Sequence, residues 1–329
     1  GNTTHHNTVT LSRTWGGDIY GGYTQSPVGD AIGNEIVLKN NNPHDPAYAY
    51  GGWAKHGNAT NNTVTVSGLT TSYPQSYLYL YGGASNNASA DVKTGNTLKV
   101  ISKDNGAQEI HNFEKMQFDL SSSIASGDTM LKVMTPTSQT FKWSNISVTG
   151  AADWMTGATG SKKVTLYSGG ALNLTNYAVA GTIAGDFEYG IRSNATGTGS
   201  VTATEIYFEG NKFKNADVTV NTIPYSNSAV HMYGGTSTLG NTTTKNKLTV
   251  QQTWTPDEAT ENIDRIIGLV VNRAHAKSHD PLDIALNEYA RKQSAAPRHA
   301  PVRDLPFSQA HAMSATIWHH GRQFRLYVK

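Results

Sequence analysis

Cysteine is absent from this chain, and no stretch approaches the roughly eighteen consecutive apolar residues that a transmembrane helix needs. The lack of cysteine is unremarkable in the cytosol. It also suits a chain that crosses two membranes unfolded, for which premature disulfides bring no gain. The chain begins Gly1-Asn2-Thr3-Thr4, without the basic and apolar segments of a secretory signal peptide. We therefore interpret it as a fragment, a mature form, or a protein that is not secreted by that route.

Charge is also scarce in this sequence. Charged residues make up 15% of the chain, against about a quarter in an ordinary globular protein, and the formal net charge is only +2. This balance excludes a global field that would attract nucleic acid or an anionic membrane, so we expect no nucleic-acid partner. Glycine, asparagine and threonine are abundant instead, and 16 tyrosines with many aliphatic residues remain to build a core. The composition is typical of extracellular repeat proteins.

One unit recurs four times along the chain. Each copy has a Tyr-Gly-Gly corner and, about a dozen residues later, an asparagine that heads a short strand of alternating apolar residues. The first three corners lie about thirty residues apart, a period that indicates a solenoid of stacked supersecondary units. The residues that define the repeat are Tyr20, Gly21, Gly22 and Asn34; Tyr50, Gly51, Gly52 and Asn62; Tyr81, Gly82, Gly83 and Asn96; and Tyr233, Gly234, Gly235 and Asn246.

The repeat favours one coil of a parallel β-helix per period. Segments such as Val64 to Val66 alternate apolar and polar residues, and a single strand cannot bury its own apolar side. Coils stacked about 4.8 Å apart pair every backbone group and cover that side. The asparagines suit left-handed bends and stacked amide ladders, and the Gly-Gly pairs are expected to supply positive φ angles. The predicted fold is therefore an all-β solenoid over residues 1–253, with a β-sandwich as the alternative.

Larger apolar side chains replace the regular repeat between residues 101 and 147. We predict strands over Ile110–Leu120, Asp128–Val133 and Phe141–Val148, which belong to a wider coil or a side-sheet. Residues 40–46 carry the breakers of a protruding loop. Beyond residue 149, short strands return at intervals of about ten residues, over 164–166, 172–174, 201–203, 206–208, 218–220 and 230–232.

The composition changes at about Thr253, and residues 254–329 are predicted to form a small C-terminal α-helical or α+β segment. Thr255-Pro256 and Asp280-Pro281 have the chemistry of helix starts, and residues 294–306 form a proline-rich arm. A short hairpin is predicted around His319-His320-Gly321. We interpret this segment as a cap on the last coil, an effector or processing unit, or an unrelated sequence joined to the array.

The coils resemble the passenger regions of bacterial autotransporter proteins, specifically the large Asn/Thr/Gly-rich ones. The resemblance covers residues 1–253 and is carried by the Tyr-Gly-Gly corners and by residues 95–98, 112–118, 233–241 and 246–250. It implies a right-handed parallel β-helix on the surface of a Gram-negative cell, acting in adhesion, biofilm formation or self-association. The implied partner is a host glycan, a host protein or a second copy. An outer-membrane β-barrel is also implied, and we expect it downstream because residues 256–329 are too few and too helical to form one.

Candidate catalytic residues are sparse. The chain has neither a G-x-S-x-G nucleophile elbow nor an H-E-x-x-H zinc helix. Gly127-Asp128 and Gly185-Asp186 lack the serine found in the protease passengers of the resembled family. Two converging carboxylates would support a β-helix polysaccharide lyase or hydrolase as the alternative function. The acids within the coils are scattered, however, at Asp18, Asp30, Asp91, Asp119, Asp153, Asp186 and Asp217.

Metal-ligand patterns are weak as well. Residues 15–18 (WGGD) are similar to a calcium-binding repeat, but the motif occurs once and its spacing is altered. His275 and His279 are four residues apart, and we interpret them, with His311, His319 and His320, as a polar surface and not as a metal site. The sequence thus predicts a non-enzymatic adhesion module with no cofactor and no metal site. Its corner tyrosines are expected to contact sugars, a neighbouring fibre or one another.

Overall fold

In a computed structural model of the protein, backbone and side chains are described for residues 2–12, 16–39, 46–68, 78–121, 123–135, 139–221 and 232–251. The backbone is also described for three strands near the C-terminus. Residues 40–45 of the predicted loop lie outside the described residues, as do the predicted helices that begin at Thr255 and Asp280.

The first three coils each contain three strands. Every strand pairs in parallel with the equivalent strand of a neighbouring coil. The predicted parallel β-helix is therefore confirmed, and a β-sandwich is wrong for these coils. In chain order the strands are β1 (Thr4–His5), β2 (Thr8–Leu11), β3 (Gly17–Thr24), β4 (Ala31–Ile32), β5 (Glu35–Lys39), β6 (Ala47–Ala54), β7 (Ala59–Thr60), β8 (Thr63–Ser67) and β9 (Leu78–Ser85).

The parallel stacking continues through the middle of the chain, and the solenoid has about seven turns. Its further elements are β10 (Thr97–Val100), β11 (Asn105–Ala107), β12 (Glu109–His111), β13 (Lys115–Asp119), β14 (Thr129–Val133), β15 (Thr140–Lys142), β16 (Ile146–Thr149), helix α1 (Ala151–Met155) and β17 (Lys162–Tyr177). Three sheets run along the solenoid: sheet A (β1, β4, β7), sheet B (β2, β5, β8, β10, β13, β16) and sheet C (β3, β6, β9, β12).

Two of the strands predicted from the sequence are interrupted. Ile110–Leu120 is not continuous, because Asn112 adopts a φ of 58° and turns the chain between β12 and β13. Phe141–Val148 is broken by a 3-10 turn over Trp143–Asn145. In both places the apolar pattern predicts one strand, but its residues lie on two faces of a coil.

Parallel stacking gives way to antiparallel pairing after β17. This strand pairs in parallel with β14 and β15 but antiparallel with β20 (Gly199–Lys212). With β18 (Thr182–Ala184) and β19 (Phe187–Ser193) these strands and β11 make up sheet D. The short strands predicted from residue 164 to 208 are thus parts of two long ones. Beyond them, β21 (Asp217–Val220) pairs with β22 (Lys247–Val250).

The core runs along the inside of the coils. In sheet B the inward residues are aliphatic and fully buried at equivalent positions of successive coils, while threonine, lysine and glutamate point outward. Because side chains alternate along a strand, register between coils places each apolar residue on the one below. The stacked inward residues of three such coils are Ile36, Leu38, Val64, Val66, Leu98 and Val100.

The described strands fall into two compact units. The first contains β1 to β21 and all of β22 except its last residue. The second contains an antiparallel sheet of β23 (Arg303–Ser308), β24 (Met313–His320) and β25 (Gln323–Val328), in that order. His319 lies opposite Phe324 and His320 opposite Gln323, so the hairpin predicted at His319-His320-Gly321 is present.

Candidate functional site

The outward side of sheet C is covered by aromatic rings. In β6 and β9 the sequence alternates small or aliphatic residues with tyrosine, so the former point inward and the tyrosines point out. The parallel register places Tyr20 opposite Tyr50, and Tyr50 opposite Tyr81. The tyrosines of the predicted corners therefore stack from coil to coil.

These tyrosines form the central row of the face. Ring centroids are 5.1 Å apart for Tyr20 and Tyr50, and 4.8 Å apart for Tyr50 and Tyr81. The row ends on His111, whose ring lies 4.6 Å from that of Tyr81. Interplanar angles of 13°, 26° and 15° make these contacts parallel stacks. Because stacking covers the ring faces, the row presents ring edges and hydroxyl groups to solvent.

Two shorter rows flank the central one. Tyr48 and Tyr79 stack at 4.8 Å on one side, and Tyr23 and Trp53 stack at 4.8 Å on the other. Tyr23 is 40% exposed, and the other rings are partly buried against their neighbours. We call the whole set the aromatic face: Tyr20, Tyr23, Tyr48, Tyr50, Trp53, Tyr79, Tyr81 and His111.

Acidic groups lie at both ends of the aromatic face. The Tyr20 hydroxyl donates to Asp18 Oδ2 at 2.9 Å, and Glu109 Oε2 lies 2.7 Å from His111 Nε2. Burial, and after it the Asp18 carboxylate, raises the pKa of Tyr50 to about 12. Burial and the nearby acids likewise raise the pKa values of Tyr20 and Tyr81. The phenols of the central row therefore stay neutral and remain hydrogen-bond donors throughout the physiological range.

The corner glycines are required for close packing. None of the six in the first three copies has a positive φ, so the role expected for them from the sequence is wrong. A Cβ added to Gly52 would lie 2.6 Å from Asn62 Nδ2, and one added to Gly83 would lie 2.7 Å from Asn96 Nδ2. Since real Cβ atoms do not approach this closely, the second glycine leaves room for the asparagine amide of its own repeat.

Those asparagines form the amide ladder predicted from the sequence. Asn7 Nδ2 donates to Asn34 Oδ1 at 2.8 Å, Asn34 Nδ2 to Asn62 Oδ1 at 3.1 Å, and Asn62 Nδ2 to Asn96 Oδ1 at 3.2 Å. Asn34, Asn62 and Asn96 are buried. The left-handed bend is one position earlier than expected, at the residues that precede the ladder, which are His6, Gly33, Asn61 and Gly95.

The fourth copy of the repeat has the same local packing but lies outside the aromatic face. Gly235 packs against the amide of Asn246, as the second glycines of the other copies pack against their asparagines. Asn246 Nδ2 donates to Phe213 O at 3.1 Å, and Ala216 N donates to Asn246 Oδ1 at 2.9 Å. Gly234 follows Tyr233, which is 61% exposed and lies outside the strands of sheet C.

Sequence reasoning missed five of the eight residues of the aromatic face. Tyr48 and Tyr79 lie two residues before the corner tyrosines, and Tyr23 and Trp53 lie three residues after them. Aligning the copies on Tyr-Gly-Gly would have exposed these flanking positions. His111 was hidden because its coil lacks the corner motif.

Several of the scattered acids have structural partners. Asp91 accepts hydrogen bonds from the backbone N–H groups of Lys93 and Thr94, both at 2.9 Å, and hydrogen bonding by the Thr94 side chain, followed by these backbone bonds, lowers its pKa. Asp128 accepts from Ala125 N at 2.7 Å and pairs with Lys103 at 3.1 Å, and its pKa is lowered as well. Among the residues with described side chains, no group of three His, Asp or Glu residues is arranged to hold a metal ion.

Glu188 was not singled out from the sequence, yet it is the most heavily bonded acid described. It is 1% exposed and lies on β19, where it accepts hydrogen bonds from the turn at residues 237–241. Ser237 Oγ donates at 2.8 Å, Leu239 N at 3.2 Å and Asn241 Nδ2 at 2.6 Å. Burial alone would raise its pKa, but these bonds outweigh burial and lower the pKa to about 2.

A cavity of about 340 Å³ lies where the coils meet the antiparallel strands. Its lining is mainly apolar, and no charged side chain is among its described lining residues, which include Trp143, Ile146, Val148, Tyr189, Ile191 and Phe208. The cavity has room for a small apolar molecule, and its polar lining is limited to residues such as Ser144, Thr182 and Tyr189.

In the part of the chain whose structure is described, no helix is long and apolar enough to cross a membrane. Comparisons with protein-family models, with curated proteins and with solved structures each found no match.

Proposed function

We propose that the protein is a non-enzymatic adhesion and self-association module that binds through its aromatic face. The proposal includes display on the surface of a Gram-negative cell as an autotransporter-type passenger, with a host glycan, a host protein or a second copy as the partner. The observation that carries it is the parallel stacking of Tyr20, Tyr50, Tyr81 and His111 on one exposed side of the solenoid.

The chemistry of that face supports binding by many weak contacts. Rigid stacked rings lose little conformational entropy when a partner covers them, and their hydroxyls offer hydrogen bonds at every coil. Each contact is weak, but contacts repeated on one rigid body act together through a high effective concentration. A molecule present in many copies on a surface multiplies that effect.

The acids give further support to a non-enzymatic role. Asp91, Asp128 and Glu188 use their carboxylate oxygens to hold turns and strands together. Carboxylates committed in this way are poorly suited to act as the acid and base of polysaccharide cleavage.

The proposal is tested with beads coated with the protein. We expect Tyr50→Thr/Tyr81→Thr to lower bead aggregation and attachment to host cells about tenfold, because the change interrupts the central row, and a loss of about 1.4 kcal/mol is tenfold in binding. Threonine is chosen because it favours the strand conformation.

The control is Lys99→Thr/Gln117→Thr, which places two threonines on the outward side of sheet B instead. Circular dichroism should show that both variants keep the β-solenoid. If the sheet C variant coheres and attaches as well as the control, the aromatic face is not the binding surface.

A further inference from the structure

One row of the aromatic face stops short. Tyr48 is followed by Tyr79 in the next coil and Tyr50 by Tyr81, but the residue opposite Trp53 is Ala84. The flanking row therefore contains Tyr23 and Trp53 and then only a methyl group. This interruption falls in a coil whose other two outward positions keep their rings.

The interruption leaves one face of the indole without an aromatic neighbour from this row. Tyr23 covers the face of Trp53 that points to the first coil. The opposite face points toward the position of Ala84. In the following coil the chain turns at Asn112, whose φ is 58°, and β12 ends at His111, so among the described residues that coil adds no aromatic ring to this row. Asn112 Nδ2 donates to Gly83 O at 2.9 Å, and Ala84 itself stays partly exposed.

Neighbouring groups frame the space above Ala84 with neutral polar atoms. In the coils below, Tyr20 of the central row lies 4.8 Å from the Tyr23 ring and 6.3 Å from the Trp53 ring. Tyr81 lies three residues before Ala84 on β9, as Tyr20 lies three residues before Tyr23 on β3. Ser85 follows on the strand, and its hydroxyl accepts a hydrogen bond from Asn87 N at 3.2 Å. We call this space, bounded by Trp53, Tyr81 and Ala84, the Ala84 step.

We propose that the Ala84 step binds one pyranose ring of a neutral glycan; this rests on the proposed function and names its ligand class. The C–H face of such a ring packs flat on an indole, at the spacing that an aromatic residue would take in the row. Its equatorial hydroxyls meet the Tyr81 hydroxyl, which remains a donor because burial and Glu109 raise its pKa. An anionic ligand would find no counter-charge among the three residues that bound the step.

A sugar fits this step better than an aromatic side chain of a second copy. Two flat aromatic faces pack closely against each other only when their rows of rings are continuous. Ala84 would leave a gap in such an interface. A single sugar ring needs a gap one ring wide beside a stacking surface and hydroxyl groups. The step has those three features together.

The substitution that tests this is Ala84→Tyr, which completes the row and fills the step. The probes are cellotetraose and lactose, titrated against intrinsic tryptophan fluorescence of the full chain. For a single bound sugar ring we expect a Kd on the order of 1 mM, as its number of heavy atoms suggests. Ala84→Tyr should weaken binding at least about tenfold without lowering the unfolding temperature, because it adds a stacking contact to Trp53.

Two controls separate filling of the step from general damage. Ala84→Ser keeps the step open and should bind as the unchanged protein does, and Lys99→Thr on sheet B should also leave the Kd unchanged. No titration by either glycan up to roughly 50 mM, well above the expected Kd, would overturn the proposal. An unchanged Kd in Ala84→Tyr would overturn it as well.

Bead aggregation keeps this proposal distinct from the proposed function. If Ala84→Tyr loses the glycans but its beads still cohere, the step is a glycan site and self-association uses the rest of the face. If the glycans never titrate while Ala84→Tyr alters bead aggregation, the step belongs to an interface between copies and the glycan proposal is wrong.

Discussion

At the scale of single residues, Asn62 shows how one side chain can hold three coils together. Its Nδ2 donates to Ala31 O at 3.0 Å and to Asn96 Oδ1 at 3.2 Å, while its Oδ1 accepts from Asn34 N at 2.9 Å. The residue is completely buried. An amide has both donors and an acceptor, so each rung can serve the coils on either side.

Replacing Asn62 by alanine should be costly for stability. The change removes the acceptor of Asn34 N and one of the donors to the Ala31 carbonyl in a buried place, and we expect the free energy of unfolding to fall by about 2–4 kcal/mol. Urea unfolding followed by circular dichroism measures this. The control is Asn87→Ala, an exposed asparagine whose loss should cost less than about 1 kcal/mol. Equal losses in the two variants would mean that the ladder contributes little.

Gly52 and Asn62 should behave as a coupled pair. Gly52→Ala places a Cβ 2.6 Å from Asn62 Nδ2, and we expect a loss of about 1–3 kcal/mol from overpacking. In an Asn62→Ala background the same change should cost much less, because the amide that it meets is gone. A double-mutant cycle in urea measures the coupling. Additive losses would show that the glycine serves the backbone and not the amide.

At the scale of secondary-structure elements, Glu188 joins strand β19 to a turn about fifty residues further along the chain. The carboxylate accepts from Ser237, Thr238, Leu239 and Asn241. Four donors on one turn can be satisfied only by an ionised group with two free oxygens. The turn is therefore held by a single charge.

This tether predicts a loss of stability in acid. The pKa of Glu188 is about 2 in the folded protein against 4.5 ordinarily, so its contribution is fully present above pH 4.5 and is lost as pH falls toward 2. The shift corresponds to about 3 kcal/mol. The thermal unfolding temperature should drop between pH 6 and roughly pH 2, and Glu188→Gln should largely remove this drop. The control variant Glu205→Gln keeps Glu188 and should still lose stability in acid. If the acid-induced drop were absent from this control, the tether would be excluded as its cause.

Element boundaries show where a sequence pattern is ambiguous. The apolar residues from Ile110 to Phe118 alternate well enough to predict one strand, yet Phe113 occupies a corner and fills the interior between two faces of a coil. A buried corner and a buried strand position look alike in one dimension, because both require an apolar residue. The left-handed backbone of Asn112 distinguishes them, and it follows from the position of the coil below.

At the scale of the whole molecule, the low charge bears on how the protein associates. With 15% charged residues, a net charge of +2 and an aromatic face composed almost entirely of neutral groups, its association should depend little on ionic screening. We expect bead aggregation to change less than about twofold between roughly 0.05 M and 0.5 M NaCl. A collapse of aggregation at modest salt would show that a charged surface, and not the aromatic face, makes the contact.

The solenoid could be predicted from the sequence, since the alternating strands, the period of the corners and the stacked asparagines are local features repeated from coil to coil. A repeat that must pair with its own copy leaves parallel stacking as the consistent arrangement. Features that depend on contacts between distant parts of the chain became visible only in the folded molecule. These are the packing role of Gly52, the antiparallel turn of the chain after β17, the burial of Glu188 and the step beside Trp53. Each depends on which residue lies opposite in another coil or strand. Hydrophobic periodicity does not identify that residue.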